Sequence, residues 1–273
     1  MRSADALLEV RGLTRRFGGL LAVADLDFTV RPGEILGLIG PNGAGKSTTF
    51  NLIAGALRPD AGEIRAGGEP VAGLPPHEIA RRGILRTFQH NRVFAGMSVV
   101  ENVMVGAHTR FRAGLWSIVG ARAGARAEEA AVRARAEELI GFVGLAEWRE
   151  ADVTTLSFGQ GRLLEIARAM AGDPRLILLD EPAAGLAPAE LDRLAALLRG
   201  IAARGIAVLL IEHDMRFLLP LAGRVVVLNF GVKIAEGSAD EIRHHPAVID
   251  AYLGDPAALV DAARAGESTH AAA

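Results

Sequence analysis

One stretch near the start of the chain decides the fold, and it reads Gly40-Pro41-Asn42-Gly43-Ala44-Gly45-Lys46-Ser47-Thr48. This is the Walker A pattern, and it lies between an apolar segment typical of a buried strand, Glu34–Ile39, and a helix predicted over Lys46–Ala54. The glycines let successive backbone N–H groups turn inward around phosphate oxygens, and the helix adds the positive end of its dipole. The whole stretch is therefore predicted to hold the phosphates of a nucleotide.

Lysine is rare in this chain, which makes the lysine of this stretch informative. Of 30 basic residues, only Lys46 and Lys233 are lysines. Because arginine serves at every other basic position, the compact ammonium of Lys46 indicates a specific task, the binding of β- and γ-phosphates. Ser47 beside it supplies a hydroxyl ligand for Mg²⁺. No motif surrounds Lys233, and we assign it no role.

A second apolar segment, Leu176–Leu179, ends in two acids, Asp180 and Glu181. This is a Walker B pattern, in which Asp180 would hold Mg²⁺ through its water shell. Glu181 would polarise the water that attacks the γ-phosphate. An apolar strand followed by Asp-Glu is also a common structural feature, and its position downstream of the Walker A stretch favours the functional interpretation.

The periodicity of the remaining chain predicts an α/β fold. Strands are expected at Ile206–Ile211 and Arg224–Leu228, with helices between the strands, so the core sheet should be mostly parallel. Two earlier strands, around Leu7–Leu13 and Val23–Val30, are joined by a turn at Gly18-Gly19. The middle of the chain, from about residue 97 to 175, is mostly helical in pattern.

Composition excludes several classes of protein. The absence of cysteine excludes a disulfide framework and thiolate metal sites. The net charge of −2 gives no basic field for nucleic acid. No apolar run approaches the roughly 18 residues that span a bilayer, and the first residues lack the features of a signal peptide. We expect a soluble chain that meets a membrane only through a partner.

Walker A and B patterns occur in kinases, GTPases, helicases and transport motors, and the sequence Leu156-Ser157-Phe158-Gly159-Gln160 discriminates among them. Followed by residues 161–169, it resembles the signature motif of ATP-binding cassette (ABC) proteins. The third signature position is usually glycine and is Phe158 here, an aromatic residue seen in one branch. Ser157 and the backbone of Gly159 begin a helix whose N-terminus can point at a γ-phosphate.

The resemblance covers about residues 7 to 253 and implies the P-loop NTPase fold of an ABC cassette. Such a cassette forms one domain, here 5–253, with a mostly parallel core sheet and an N-terminal antiparallel β subdomain. Its catalytic lobe would comprise about 5–90 and 174–253, and an inserted α-helical lobe about 91–173. The tail, 254–273, is expected to be flexible.

The resemblance also implies roles for single residues. Phe17, 29 residues before Lys46, matches the aromatic residue that stacks on adenine, and its alternative is a core phenylalanine. Gln89 matches the glutamine that contacts Mg²⁺ and the attacking water. His213 matches the histidine that contacts the γ-phosphate. With Lys46 and Glu181, the last two complete the expected catalytic set.

In this family two cassettes pack head to tail, and each ATP lies between the Walker A stretch of one and the signature of the other. Ser157, Gly159 and Gln160 would therefore act in trans, on the nucleotide of a second cassette that is either a copy of this chain or a paralogue. The D-loop, residues 180–188, carries Ala187 where the family often has Asp. The side chain of Ala187 has no polar atom with which to make a contact across the dimer.

Within the family, the chain looks most like the ATPase subunits of bacterial branched-chain amino-acid importers. The segments that carry this likeness are 86–94, 97–103, 181–186 and 211–215. An insertion at 108–124 is typical of one of the two paralogous ATPases that such importers use. The likeness implies an enzyme that hydrolyses ATP to ADP and phosphate, with Mg²⁺, at the cytoplasmic face of the inner membrane.

Its partners would be integral membrane permease subunits and, indirectly, a periplasmic binding protein, with no nucleic acid. The segment from Gln89 to about Asn102 would line the groove for a coupling helix of the permease, or else pack inside the helical lobe. The insertion, with Trp116 and several arginines, would face anionic lipid or simply solvent.

Three alternatives to this function remain open. The same cassette could serve importers of urea, amides or aromatic acids. Non-transport ABC ATPases act on ribosomes or in DNA repair, but these usually carry two cassettes or a long coiled coil. A metabolic small-molecule kinase would leave the signature and His213 unexplained.

Overall fold

The Walker A stretch connects a central strand to a helix in a computed structural model that describes residues 6–87, 93–107 and 122–253. In the first half of the chain the elements are β1 (Leu8–Phe17), β2 (Leu20–Val30), β3 (Ile35–Ile39), α1 (Lys46–Ile53), β4 (Ala61–Ala66), β5 (Glu69–Pro70), α2 (Pro76–Arg81), β6 (Ile84–Arg86) and α3 (Val99–Gly106). The second half contains α4 (Arg122–Phe142), α5 (Phe158–Ala171), β7 (Leu176–Asp180), α6 (Pro188–Ala203), β8 (Ala207–Ile211), α7 (Met215–Leu218), β9 (Arg224–Asn229), β10 (Val232–Gly237), α8 (Ala239–Arg243) and α9 (Pro246–Leu253).

Six strands form the central sheet in the order β10-β9-β3-β8-β7-β6. The five strands from β9 to β6 pair in parallel, and β10 returns antiparallel to β9. The prediction of a mostly parallel core sheet is confirmed. Every residue of β3, β7 and β8 is buried, as their unbroken apolar sequences predict.

Alternate residues of these strands point into two different hydrophobic clusters. Ile39, Leu179 and Leu210 face a cluster that contains the helices α3 to α6. Leu38 and Leu209 face the other cluster, with α1 and the antiparallel strands. The sheet is therefore covered on both faces, and burial of each large apolar side chain contributes about 1.5–3 kcal/mol.

Four strands form the smaller sheet in the order β2-β1-β4-β5. The two strands predicted near the N-terminus are confirmed as β1 and β2. Strands β4 and β5 are not among the strands expected from the sequence. The reason is visible in their burial, because only Ile64 and Ala66 of this hairpin are buried, which leaves no alternation long enough to recognise.

A buried amide holds the segment that precedes α3. Asn102, which is fully buried, accepts a hydrogen bond from the Phe94 N–H at 2.9 Å and donates to the carbonyls of Phe94 and Ser98. These bonds hold the segment at 93–98 against the start of α3. The lobe boundaries stay a prediction, since the helices and one face of the sheet share a single cluster.

Most of the predicted insertion, residues 108–121, and the predicted flexible tail, 254–273, lie outside the described residues. Helix α4 begins at Arg122, inside the range predicted for the insertion. Among the described helices, none combines the length and the apolar character needed to cross a bilayer.

Candidate functional site

The Walker A loop leaves β3 through three glycines with positive φ, Gly40 at 152°, Gly43 at 79° and Gly45 at 100°. A Cβ on Gly40 would lie 2.1 Å from the carbonyl oxygen of Leu228, and one on Gly45 would lie 2.4 Å from that of Ala22. The loop therefore needs glycine at both ends because β9 and β2 pass so close to it.

Lys46 lies inside the loop that precedes it. Its side chain donates hydrogen bonds to the carbonyls of Gly40 at 2.6 Å and Pro41 at 2.9 Å, and the residue is only 8% exposed. Burial lowers the pKa of its ammonium, while the nearby charges of Glu181 and Asp180 act in the opposite direction. The position of this ammonium fits the predicted phosphate contact.

Helix α1 presents its N-terminus at the same place. Ser47 is exposed in its first turn, and within the described chain no side chain caps the helix and no acid lies in that turn. The backbone N–H groups and the helix dipole can therefore favour an anion.

Asp180 ends β7 with its side chain 2% exposed, and Arg86 at the end of β6 binds it at 3.0 Å. Burial raises the pKa of this carboxyl, and the Arg86 guanidinium opposes that rise. Arg86 also donates to the side chain of Asn51 on α1. The sequence placed Arg86 only within a branch motif, and its pairing with Asp180 is visible only once β6 lies beside β7.

Glu181 and His213 follow neighbouring strands and meet at the edge of the sheet. Glu181 Oε1 lies 3.8 Å from His213 Nδ1, and the side chains are 44% and 62% exposed. Glu181 has a φ of 49°, which is unfavourable for a residue with a side chain. Its N–H donates to the carbonyl of Ile211 at 2.9 Å. The structure thus brings these two predicted residues together at the same edge as Asp180.

Glu212 is a buried acid between β8 and His213 that sequence reasoning missed. It is 1% exposed, and its Oε1 accepts a hydrogen bond from the Ala183 N–H at 2.8 Å. Burial, with the charges of Glu181 and Asp214, raises its pKa to about 7, against the opposing N–H groups of Ala183 and His213. Its Oε2 has no hydrogen-bond partner among the described residues. An acid at the end of an otherwise apolar strand was the available signal.

The signature residues begin α5 with a capping box. Ser157 Oγ accepts from the Gln160 N–H at 3.2 Å, and Gln160 Oε1 accepts from the Ser157 N–H at 2.8 Å. Among the described residues, no hydrogen bond or ion pair joins them to residues 40–48. Within one chain, the two motifs predicted to hold phosphate are therefore separate hydrogen-bonded units.

The signature packs instead against the D-loop and α6. A Cβ on Gly159 would lie 2.1 Å from Glu190 Oε1, and the same carboxylate accepts from the Ala187 N–H at 2.9 Å. Phe158, 49% exposed, lies along Gly185. Glu190 thus accepts the capping-box bond from the Ala187 N–H, while Ala187 has no side-chain oxygen to accept the reciprocal bond from the Glu190 N–H.

Phe17 lies at the end of β1 and is 43% exposed, with the Arg15 guanidinium 4.9 Å from its ring centroid. The ring is therefore not part of the core, which rules out the alternative of a core phenylalanine. Its stacking on adenine stays a prediction, and its exposure fits that role.

Gln89 lies outside the described residues. The remaining predicted metal ligands, Ser47 and Asp180, provide one hydroxyl and one carboxylate oxygen. Among the described residues, no group of three or more His, Cys, Asp or Glu side chains could hold a metal by itself. This donor set fits Mg²⁺, which keeps several waters and binds through one or two carboxylates together with phosphates.

Comparison with known proteins gives consistent matches along the chain. A family model described as ABC transporter matches residues 23–184, and one described as Branched-chain amino acid ATP-binding cassette transporter matches residues 232–258. The high-affinity branched-chain amino acid transport ATP-binding protein BraF of Pseudomonas aeruginosa is 46% identical over 254 residues, covering 91% of this chain and 98% of BraF.

Two further proteins support the same grouping. The high-affinity branched-chain amino acid transport ATP-binding protein LivG of Escherichia coli is 43% identical over 255 residues, covering 92% of this chain and 99% of LivG. A crystal structure of the ADP conformation of an ATP-binding cassette of an ABC transporter has a TM-score of 0.80 and 29% identity, covering 92% of this chain and 99% of that chain.

The raised pKa of Glu212 predicts a specific pH dependence of stability. The folded-state pKa of about 7 lies above the ordinary value of 4.5. At pH values between these two, the folded state therefore binds more protons at Glu212 than the unfolded state does. The free energy of unfolding should therefore fall as pH rises from about 5 to 7, by up to about 3 kcal/mol from this group. Glu212→Gln should remove that part of the slope.

Urea unfolding at pH 5 and pH 8 measures this difference. The exposed Glu129→Gln serves as the matched control and should keep the wild-type slope. Parallel stability curves for wild type and Glu212→Gln would contradict the assigned pKa.

Proposed function

The chain belongs to the ATP-binding subunits of ABC transporters, and on this premise we propose that it energises the import of branched-chain amino acids through separate membrane subunits. It is a transport ATPase by family. The observation that carries the proposed chemistry is the convergence of Lys46, Asp180, Glu181 and His213 around the Walker A loop at one edge of the sheet.

The proposed hydrolysis uses each of these groups in a definite way. Lys46 exchanges its two carbonyl acceptors for β- and γ-phosphate oxygens, and the N-terminus of α1 adds backbone donors. Glu181 accepts the proton of the attacking water, and His213 binds the γ-phosphate. Ser47 and Asp180 would hold Mg²⁺, and the bound ion would supply positive charge to the phosphates.

Phe17 would bind adenine, and Gln89 would contact Mg²⁺ and the attacking water. Both assignments follow from the family pattern. The exposure of the Phe17 ring supports the first of them. The second concerns a residue outside the described ranges.

A second cassette is needed to complete the proposed site. The signature helix α5 begins at an exposed Ser157, and it makes no polar bond to the Walker A loop within the described chain. We expect two cassettes to pack head to tail, so that Ser157, Gly159 and Gln160 reach the γ-phosphate bound by the other chain. Closure driven by ATP then follows from the higher affinity of the closed state for the triphosphate.

The proposed contact with membrane subunits lies beside the start of α3. Phe94 is 46% exposed and Met97 is 38% exposed, and the bonds of Asn102 hold the segment between them. Exposed apolar side chains on a fixed segment favour an interface over internal packing. The chain would therefore lie at the cytoplasmic face of the inner membrane, bound to permease subunits.

Glu181→Gln should separate binding from hydrolysis. The amide keeps the size of the side chain but cannot accept the proton, so turnover should fall by about 100-fold or more. ATP affinity should stay near that of the wild type, and ATP-bound dimers should accumulate on size-exclusion chromatography. Lys46→Ala is the contrasting variant and should lose ATP binding. Wild-type turnover in Glu181→Gln would refute the assignment of Glu181.

Mixing two inactive variants tests whether the signature acts in trans. A Lys46→Ala chain and a Ser157→Arg chain should each be inactive alone, because each substitution removes a required residue from both sites of the homodimer. Their heterodimer retains one intact composite site, so mixing should restore part of the ATPase activity. If mixing is confirmed by pull-down and no activity returns, the trans site is wrong.

The cargo is tested by transport. We expect the chain, co-purified with its membrane subunits in liposomes, to drive ATP-dependent uptake of leucine, isoleucine and valine, and Glu181→Gln to abolish it. The names of BraF and LivG and the C-terminal family match support this cargo. Uptake of urea, amides or aromatic acids instead would overturn the cargo and leave the ATPase assignment intact.

A further inference from the structure

The end of β8 holds the backbone around Glu181 at two points. The carbonyl of Ile211 accepts from the Glu181 N–H at 2.9 Å, and the carboxyl of Glu212 accepts from the Ala183 N–H at 2.8 Å. The next residue, His213, faces the Glu181 side chain at 3.8 Å. Three consecutive residues of one strand end therefore contact Glu181 or the turn that it begins.

This double attachment matters because the backbone of Glu181 is strained. Its φ of 49° persists only where the surroundings hold it. The turn's own bond, from the Ala184 N–H to the Glu181 carbonyl, is 3.3 Å long and correspondingly weak. The bond from Ala183 to Glu212 is shorter, and it anchors the side of Glu181 that Ile211 does not reach.

We propose that Glu212 is a positioning residue for ATP hydrolysis, which holds Glu181 against His213 through the N–H of Ala183. The proposal rests on the proposed ATPase function. Glu212 does not touch the nucleotide, since it is 1% exposed beneath the site. It acts by fixing where the Glu181 carboxylate lies.

The hydrogen bonding of the Glu212 carboxyl also supports this role. One of its oxygens is buried without a hydrogen-bond partner among the described residues, which opposes folding. An apolar side chain would avoid that cost but would leave the Ala183 N–H unpaired. Local features that oppose stability are expected where a functional geometry depends on them.

Three substitutions separate the hydrogen bond from the charge. Glu212→Gln keeps an oxygen at the same reach and removes the charge, so its kcat should stay within about threefold of wild type. Glu212→Asp keeps the charge but is one methylene shorter, and Glu212→Ala has no acceptor. Both should lose about tenfold or more in kcat, with the KM for ATP within about twofold, because Lys46 and its loop are untouched.

The assay uses the full chain with Mg-ATP, and kcat is expressed per mole of chain that binds a fluorescent ATP analogue, so that misfolded protein does not count. Glu34→Ala removes a different, partly buried carboxylate that pairs with Arg224. It should lower the melting temperature and leave kcat per binding-competent chain unchanged.

The outcomes distinguish the positioning role of Glu212 from the proposed ATPase function on which it rests. If the wild-type chain hydrolyses ATP and Lys46→Ala does not, the ATPase assignment holds, whatever the result for the Glu212 variants. Three results would each overturn the positioning role. The first is a wild-type kcat in Glu212→Ala, and the second is an active Glu212→Asp variant beside an inactive Glu212→Gln variant. The third is a change confined to the KM for ATP.

Discussion

Parallel pairing of three buried strands is the constraint on which the rest of the structure depends. Leu38 of β3 pairs with Ile211 of β8, and Ile211 pairs with Asp180 of β7. Because parallel strands end at the same edge of a sheet, the Walker A loop, the Walker B acids and His213 all emerge together. A slip of one residue in this register would exchange the two faces of a strand and move these groups out of reach of one another.

The sequence predicted those parts of the fold that depend on local pattern. Unbroken apolar runs located β3, β7 and β8, and the Gly-rich stretch located the start of α1 within one residue. Strands β4 and β5 were not found, because a short, mostly exposed hairpin with glycines resembles a turn.

The candidate site likewise contains residues that local sequence patterns identify and residues that only the folded structure identifies. Lys46, Asp180, Glu181 and His213 lie in recognisable motifs, and the structure places them as neighbours. Arg86 and Glu212 matter for a different reason, because each binds a partner that lies far away along the chain. No local pattern reports that Arg86 meets Asp180 across 94 residues or that Glu212 meets Ala183 across 29.

The hydrogen bonds of Lys46 have a consequence for what the loop can discriminate. Its ammonium already has two carbonyl acceptors, so a ligand gains only the difference between its own oxygens and those of the loop. Neutral oxygens of a sugar or an alcohol would gain almost nothing by that exchange, whereas bonds to charged oxygens are about twice as strong as neutral ones. With Lys46 as the proposed phosphate contact, the loop would disfavour uncharged competitors without a steric barrier, through the hydrogen bonds that this lysine already makes.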